Sequence, residues 1–309
     1  MKKEKKNRMN GKLKHQLEIQ SMVLPGVIFL AIFAYVPMIG VITAFIDYNP
    51  IQGYFNSEFV GLKYFKELFG DWAFPMILKN TLGINLIGLA ISFPTTIIFA
   101  LILNEVKNPL FKRSVQTISY LPHFVSWVIF GGIIIQLLSA GNDGVINKLL
   151  LAIGIIDEPI NFMGEAALFW PILISASLIK GLGWSAIVYI AAIAGINPEH
   201  YEAATIDGAG RLQRIWYITL PGIAGTIIIM LIFEISGILN SGMDALLVLQ
   251  NDLNYNASET IDMYVYHVGI SQSRFSYATA IGLLKSIVGL ILLLTANFAS
   301  KKLTDRGLF

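Results

Sequence analysis

The chain lacks cysteine altogether, and Asp, Glu, Lys and Arg together make up only 14% of its 309 residues. The first absence excludes disulfides and thiolate metal sites and leaves the redox compartment open. The second excludes an ordinary water-soluble domain, which carries roughly 25% charged residues. No GxxxxGK[ST] phosphate loop is present, so any ATP must be handled elsewhere. HExxH and GxSxG are missing too, and the 4 histidines are scattered, so neither metal binding nor hydrolase chemistry has support. What fills the space is apolar: 55% hydrophobic residues and a mean hydropathy of +0.66 place the chain in a membrane.

Six segments are long enough to cross a bilayer, which needs about 20 apolar residues: 22–46, 80–103, 117–139, 166–192, 222–241 and 277–299. The first is too long for a secretory leader and lacks a small-residue cleavage site, so no cleaved signal peptide is expected. Lys and Arg set the orientation. Seven lie in the N-terminal tail (Lys2, Lys3, Lys5, Lys6, Arg8, Lys12, Lys14). Lys107, Lys112, Arg113, Arg211, Arg214, Lys301, Lys302 and Arg306 fall on the same side, against five on the other. The positive-inside rule then puts both termini and the 193–221 segment in the cytoplasm. The expected organisation is a basic tail (1–21), a first helix with its outer loop (22–79), a core (80–300) and a C-terminal tail (301–309). The basic tail reads as a topology signal near anionic lipid, not as a nucleic-acid contact.

The polar segment Glu202–Pro221, EAATIDGAGRLQRIWYITLP, stands between two apolar runs. Asn197-Pro198-Glu199 has the order of a helix start: an Asn cap, proline at the first helical position and an acid near the positive helix end. That helix should run to about Ile206 and break at Asp207-Gly208, where glycine accepts angles other residues avoid. A second short helix carrying Leu212, Ile215, Trp216 and Leu220 should follow, with Pro221 opening the fifth span.

This segment resembles the EAA loop of binding-protein-dependent ABC importer permeases: Glu202-Ala203-Ala204, Asp207-Gly208-Ala209 and Ile218-Thr219-Leu220-Pro221 stand in register. Ile215 departs from the phenylalanine common in the family but stays apolar. The likeness continues through Leu24-Pro25-Gly26, Asn80-Thr81-Leu82, Lys180-Gly181-Leu182-Gly183-Trp184 and Ser276-Tyr277-Ala278-Thr279-Ala280. Ile261-Asp262-Met263-Tyr264-Val265-Tyr266 and Gly307-Leu308-Phe309 are similar to oligosaccharide permeases of the aldouronate type. The resemblance implies an all-α, six-helix, type I (MetI-like) permease fold with coupling helices at 197–220. It implies a non-catalytic transport subunit that works with a second permease (expected to be a paralogue), two ATPase subunits holding ATP and Mg, and an extracytoplasmic sugar-binding protein. By the same resemblance, Glu202 contacts the ATPase, Ala203 and Ala204 permit close docking, and Gly208 makes the bend. Leu220 and Pro221 pass motion to the fifth span, and Asp207 and Arg211 complete the docking set.

Lys180, Glu234 and Lys285 fall within spans, where ionisable groups are costly and usually face a partner or a cavity. A Lys180–Glu234 ion pair and a polar lining for a hydroxyl-rich ligand are both open readings. Trp184 could offer an aromatic face to a sugar ring, with Asn240 and Asn85 as further polar candidates. An anionic oligosaccharide such as a uronate is compatible with the two lysines. The alternative is an ion-coupled secondary transporter using Lys180, Glu234 and Lys285, which six spans without an inverted repeat disfavour. An intramembrane enzyme is the remotest class.

Overall fold

The computed structural model describes residues 2–141, 144–304 and 307. Arg306, Leu308 and Phe309, together with the side chains of the seven N-terminal basic residues, lie outside the described residues. Among the described residues, five helices are long and apolar enough to cross a membrane: Glu18–Phe45, Phe74–Asn104, Ala166–Ala194, Arg211–Ser236 and Phe275–Lys302. A broken apolar pair, Pro109–Phe124 and Trp127–Leu137, bent by 100°, makes a sixth if it is counted as one span. In chain order these are spans 1 to 6, the broken pair being span 3. The only strands among the described residues are two short ones, Ile46–Asp47 and Glu58–Phe59, paired antiparallel just after span 1.

Span 3 corrects the bounds of the single segment expected over 117–139, which is two helices, Pro109–Phe124 and Trp127–Leu137. Pro122 lacks an amide proton and clashes with the preceding turn, and the first helix ends at Phe124. Ser126 then caps the second, its hydroxyl accepting from the Ile129 amide at 3.3 Å. Span 5 corrects another boundary. Pro221 does not open it: the helix begins at Arg211 and passes through a π-helical turn, Ile215–Thr219, before Leu220–Ser236.

Spans 2 and 4 pack face to face and span 4 is the most buried, whereas span 1 is the least. Many large side chains on the spans stay exposed, such as Phe33, Leu86, Ile179 and Leu290. With no water in a bilayer core, helices satisfy their own backbone, so such faces are suited to lipid. Gly183 lets spans 3 and 4 meet: a Cβ there would sit 2.3 Å from the Ser119 carbonyl oxygen.

Two ends can be told apart by contacts. At one end, Asn80 of span 2 donates to the Asn256 and Glu259 carbonyls, and Trp170 of span 4 donates to the Ala257 carbonyl. The 242–276 segment therefore caps the starts of both helices. Asp71 ties this collar together, accepting from Tyr264, Tyr277 and the Ala73 amide. At the opposite end Leu101, Ile193 and Ile223 form one cluster, with Leu220 packed against it. The 193–221 segment therefore lies across the bundle from the 242–276 collar.

Candidate functional site: the coupling segment and the central cavity

The segment after span 4 folds as its residues dictate. Asn197 caps the Pro198–Ile206 helix, its side chain accepting from the Glu199 amide at 3.1 Å. The helix closes on two hydrogen bonds, Ala209 N–H to the Ala204 carbonyl at 2.8 Å and Gly208 N–H to the Thr205 carbonyl at 3.1 Å. That pairing requires a left-handed residue at the turn, and Gly208 has φ +79. The Gly210 amide then donates to the Gln213 side chain at 2.7 Å and starts span 5.

Glu202, Ala203, Asp207, Gly208 and Arg211 are exposed, Ala204 and Leu220 half-buried, and Pro221 exposed beside the span 5 cluster. Glu202 makes no hydrogen bond or ion pair among the described residues. Two apolar residues outside the expected docking set flank the turn in the open, Ile206 at 87% and Leu212 at 73% exposure. Exposed branched side chains beside a fixed turn were legible only as part of an amphipathic pattern, because their outward direction depends on where the bundle lies. A groove of about 700 Å³ runs along Ala203 and Ala204, walled by His200, Tyr217 and Gly222.

The polar residues of the spans separate into two groups. Glu234, Asn240 and Asn85 line a central cavity of about 320 Å³ with Ser177, Ser185 and Tyr189. Lys180 and Glu234 are not paired. The Lys180 ammonium, only 8% exposed, instead donates to the carbonyls of Pro122 (2.9 Å), His123 (2.8 Å) and Val125, at the break in span 3. It also lies over the Trp127 and Phe130 rings. Lys285 pairs with Asp262, which also accepts from the Ser241 amide. Glu234 has no hydrogen-bond or ion-pair partner among the described residues. Trp184 stacks on His123 at 4.4 Å and lines neither cavity.

A second cavity, about 660 Å³, adjoins the break and is lined by His123, Ser126, Lys180 and Asp244; it shares Trp127 and Ser177 with the first. Sequence reasoning missed Trp127, Ser177, Tyr189 and Asp244. The one signal available was Ser126, four residues after Pro122, which has the character of a cap restarting a helix.

A bundle of apolar helices with an internal polar cavity and an outstanding polar helix–turn is the form of a transport subunit. Residues 92–305 match the family described as binding-protein-dependent transport system inner membrane component, and the chain belongs to that family. Among similar proteins is the Bacillus subtilis polygalacturonan/rhamnogalacturonan transport system permease protein YteP, 45% identical over 100% of this chain and 95% of that one. Protein LplB of the same organism is 43% identical over 96% of this chain and 92% of its own length. A solved bacterial ABC transporter involved in the import of the acidic polysaccharide alginate has a chain that superimposes with a TM-score of 0.86. That chain is 37% identical, with 96% of this chain and 99% of that one covered. A second structure of the alginate transporter holds an alginate pentasaccharide-bound periplasmic protein. Family membership sets aside the ion-coupled transporter and the intramembrane enzyme.

Proposed function

We propose that the chain is the permease subunit of an ATP-driven importer for oligosaccharides, acidic ones in particular, and forms half of the membrane pathway. The observation that carries this reading is the docking element. A capped helix and a glycine turn project from the bundle with an unpartnered Glu202, across from the collar, and join span 5 without a break. A separate ATPase subunit, which holds ATP and Mg, receives Glu202, Ala203, Ala204, Asp207, Gly208 and Arg211. Leu220 and Pro221 carry its motion into span 5. The charge bias supports a cytoplasmic position for this element and both termini, with the collar facing the extracytoplasmic binding protein. The second permease is a paralogue.

Sugar passes the central cavity, where Glu234, Asn240 and Asn85 offer hydrogen bonds to hydroxyl groups. The two lysines do not support an anionic substrate, since both are already engaged. The acidic assignment rests on the relatives that act on polygalacturonan, rhamnogalacturonan and alginate.

Reconstitution with the partner permease, ATPase and binding protein tests the reading. Glu202→Ala should weaken ATPase association, since truncating one partner of an interfacial charge pair costs about 2–5 kcal/mol. Gly208→Pro should uncouple hydrolysis from uptake, because proline cannot adopt a positive φ. Normal uptake and normal ATPase stimulation in both variants would refute the docking role.

A further inference from the structure

Four residues of the coupling segment form a closed circuit of hydrogen bonds. The Thr205 hydroxyl donates to the Tyr201 carbonyl at 2.7 Å, one turn back in the Pro198–Ile206 helix. Arg214 Nη1 donates to the Thr205 hydroxyl oxygen at 3.1 Å. The Thr219 hydroxyl donates to the Arg214 carbonyl at 3.3 Å. Tyr201 and Thr219 close the loop, hydroxyl to hydroxyl, at 3.0 Å. A threonine hydroxyl has one proton. With the Thr219 proton on the Arg214 carbonyl, Tyr201 is the donor at the closing contact.

The circuit bridges the glycine turn between the coupling helix and span 5. Between the Pro198–Ile206 helix and span 5 lie Gly208 and Gly210, and span 5 itself contains the π-helical turn Ile215–Thr219 one turn after its start at Arg211. In that turn the Thr219 hydroxyl reaches the carbonyl five residues back and so reinforces the widened backbone. Thr219 is 1% exposed, so its hydroxyl bonds are sheltered from water, while Tyr201 is half-buried above it. Arg214 Nε is buried without a hydrogen-bond partner, a cost the fold bears to keep Nη1 on Thr205.

We propose that Tyr201, Thr205, Arg214 and Thr219 are positioning residues that lock the coupling helix to span 5, so that both move as one body when the ATPase closes. Without the lock, the glycine turn absorbs the displacement. The inference rests on the docking reading above and deepens it. None of the four needs to touch the ATPase or the sugar.

Because the chain has no cysteine of its own, Glu199→Cys on the coupling helix and Phe233→Cys on span 5 give a clean spin-label pair. In the assembled complex in nanodiscs, with native Tyr201 and Thr219, the pair should show one narrow distance, the same with and without ATP. Tyr201→Phe and Thr219→Val, which each remove only a hydroxyl function, should broaden or shift it when nucleotide binds, and Thr219→Ser should restore it. In transport, losing one such bond should lower uptake per ATP hydrolysed about tenfold, from about 1.4 kcal/mol, with binding-protein-stimulated hydrolysis persisting. The inference is overturned if both hydroxyl-deleted variants keep the narrow, nucleotide-independent distance, or if the native pair already changes with nucleotide. Failure of the docking reading is separate: then no ATPase would copurify with the native chain.

Discussion

Replacing Lys180 by methionine removes a cation whose three hydrogen bonds hold the break in span 3 together. Hydrogen bonds to charged groups contribute about 1.5–3 kcal/mol each, but burying an ammonium costs several kcal/mol, so the native gain is well below the sum. The variant escapes that desolvation cost and leaves the carbonyls of His123 and Val125 orphaned, while the Pro122 carbonyl keeps the Val125 amide. Each unsatisfied carbonyl costs about 1–3 kcal/mol when buried. The adjoining cavity lets water reach part of the set, so one or two orphans remain and the loss is about 3 kcal/mol. If the bonds are absent at the unfolding barrier, inactivation speeds up by roughly 100-fold, since every 1.4 kcal/mol is a factor of ten. The assay is the half-life of the purified complex in detergent at fixed temperature, followed by size-exclusion chromatography. Lys180→Arg, which keeps donors and charge, should fall between the two, and Glu234→Gln, which loses no partner, should match the wild type. A Lys180→Met complex that survives as long as the wild type refutes the idea that this ammonium secures the break.

Glu234→Gln should lower oligosaccharide uptake with ATPase association unchanged; equal uptake at equal assembly would remove Glu234 from the pathway. Gly183→Ala drives a methyl against the Ser119 carbonyl, and overpacking of this kind costs about 1–3 kcal/mol; a thermal half-life equal to the wild type would show that spans 3 and 4 separate freely. For Asp71, burial opposes ionisation, but hydrogen bonds from Tyr264, the Ala73 amide and Tyr277, with Arg274 nearby, outweigh it and hold the carboxyl below its ordinary value of 3.8. A depressed native pKa makes the collar's stabilisation full above the unfolded value, fading as pH falls through the native one. Asp71→Asn should therefore flatten the acid limb of the half-life against pH profile, and an unchanged limb would place that sensitivity elsewhere.

Hydropathy and charge by themselves determined the membrane class, five of the six crossings and the polar segment between spans 4 and 5, because a bilayer imposes length and polarity on any chain that crosses it. Local rules were enough for the Asn197 cap and the Gly208 turn, since both depend on backbone atoms within a few residues. Partners for the buried charges were another matter. Lys180 found carbonyls about 57 residues away in sequence, and Lys285 found Asp262, because helix order and rotation decide which groups meet and neither is written in a single span's pattern. The 100° break in span 3 needed both Pro122 and a cation on span 4 to donate to the freed carbonyls. The circuit through Tyr201, Thr205, Arg214 and Thr219 likewise exists only once the glycine turn folds the coupling helix back onto span 5.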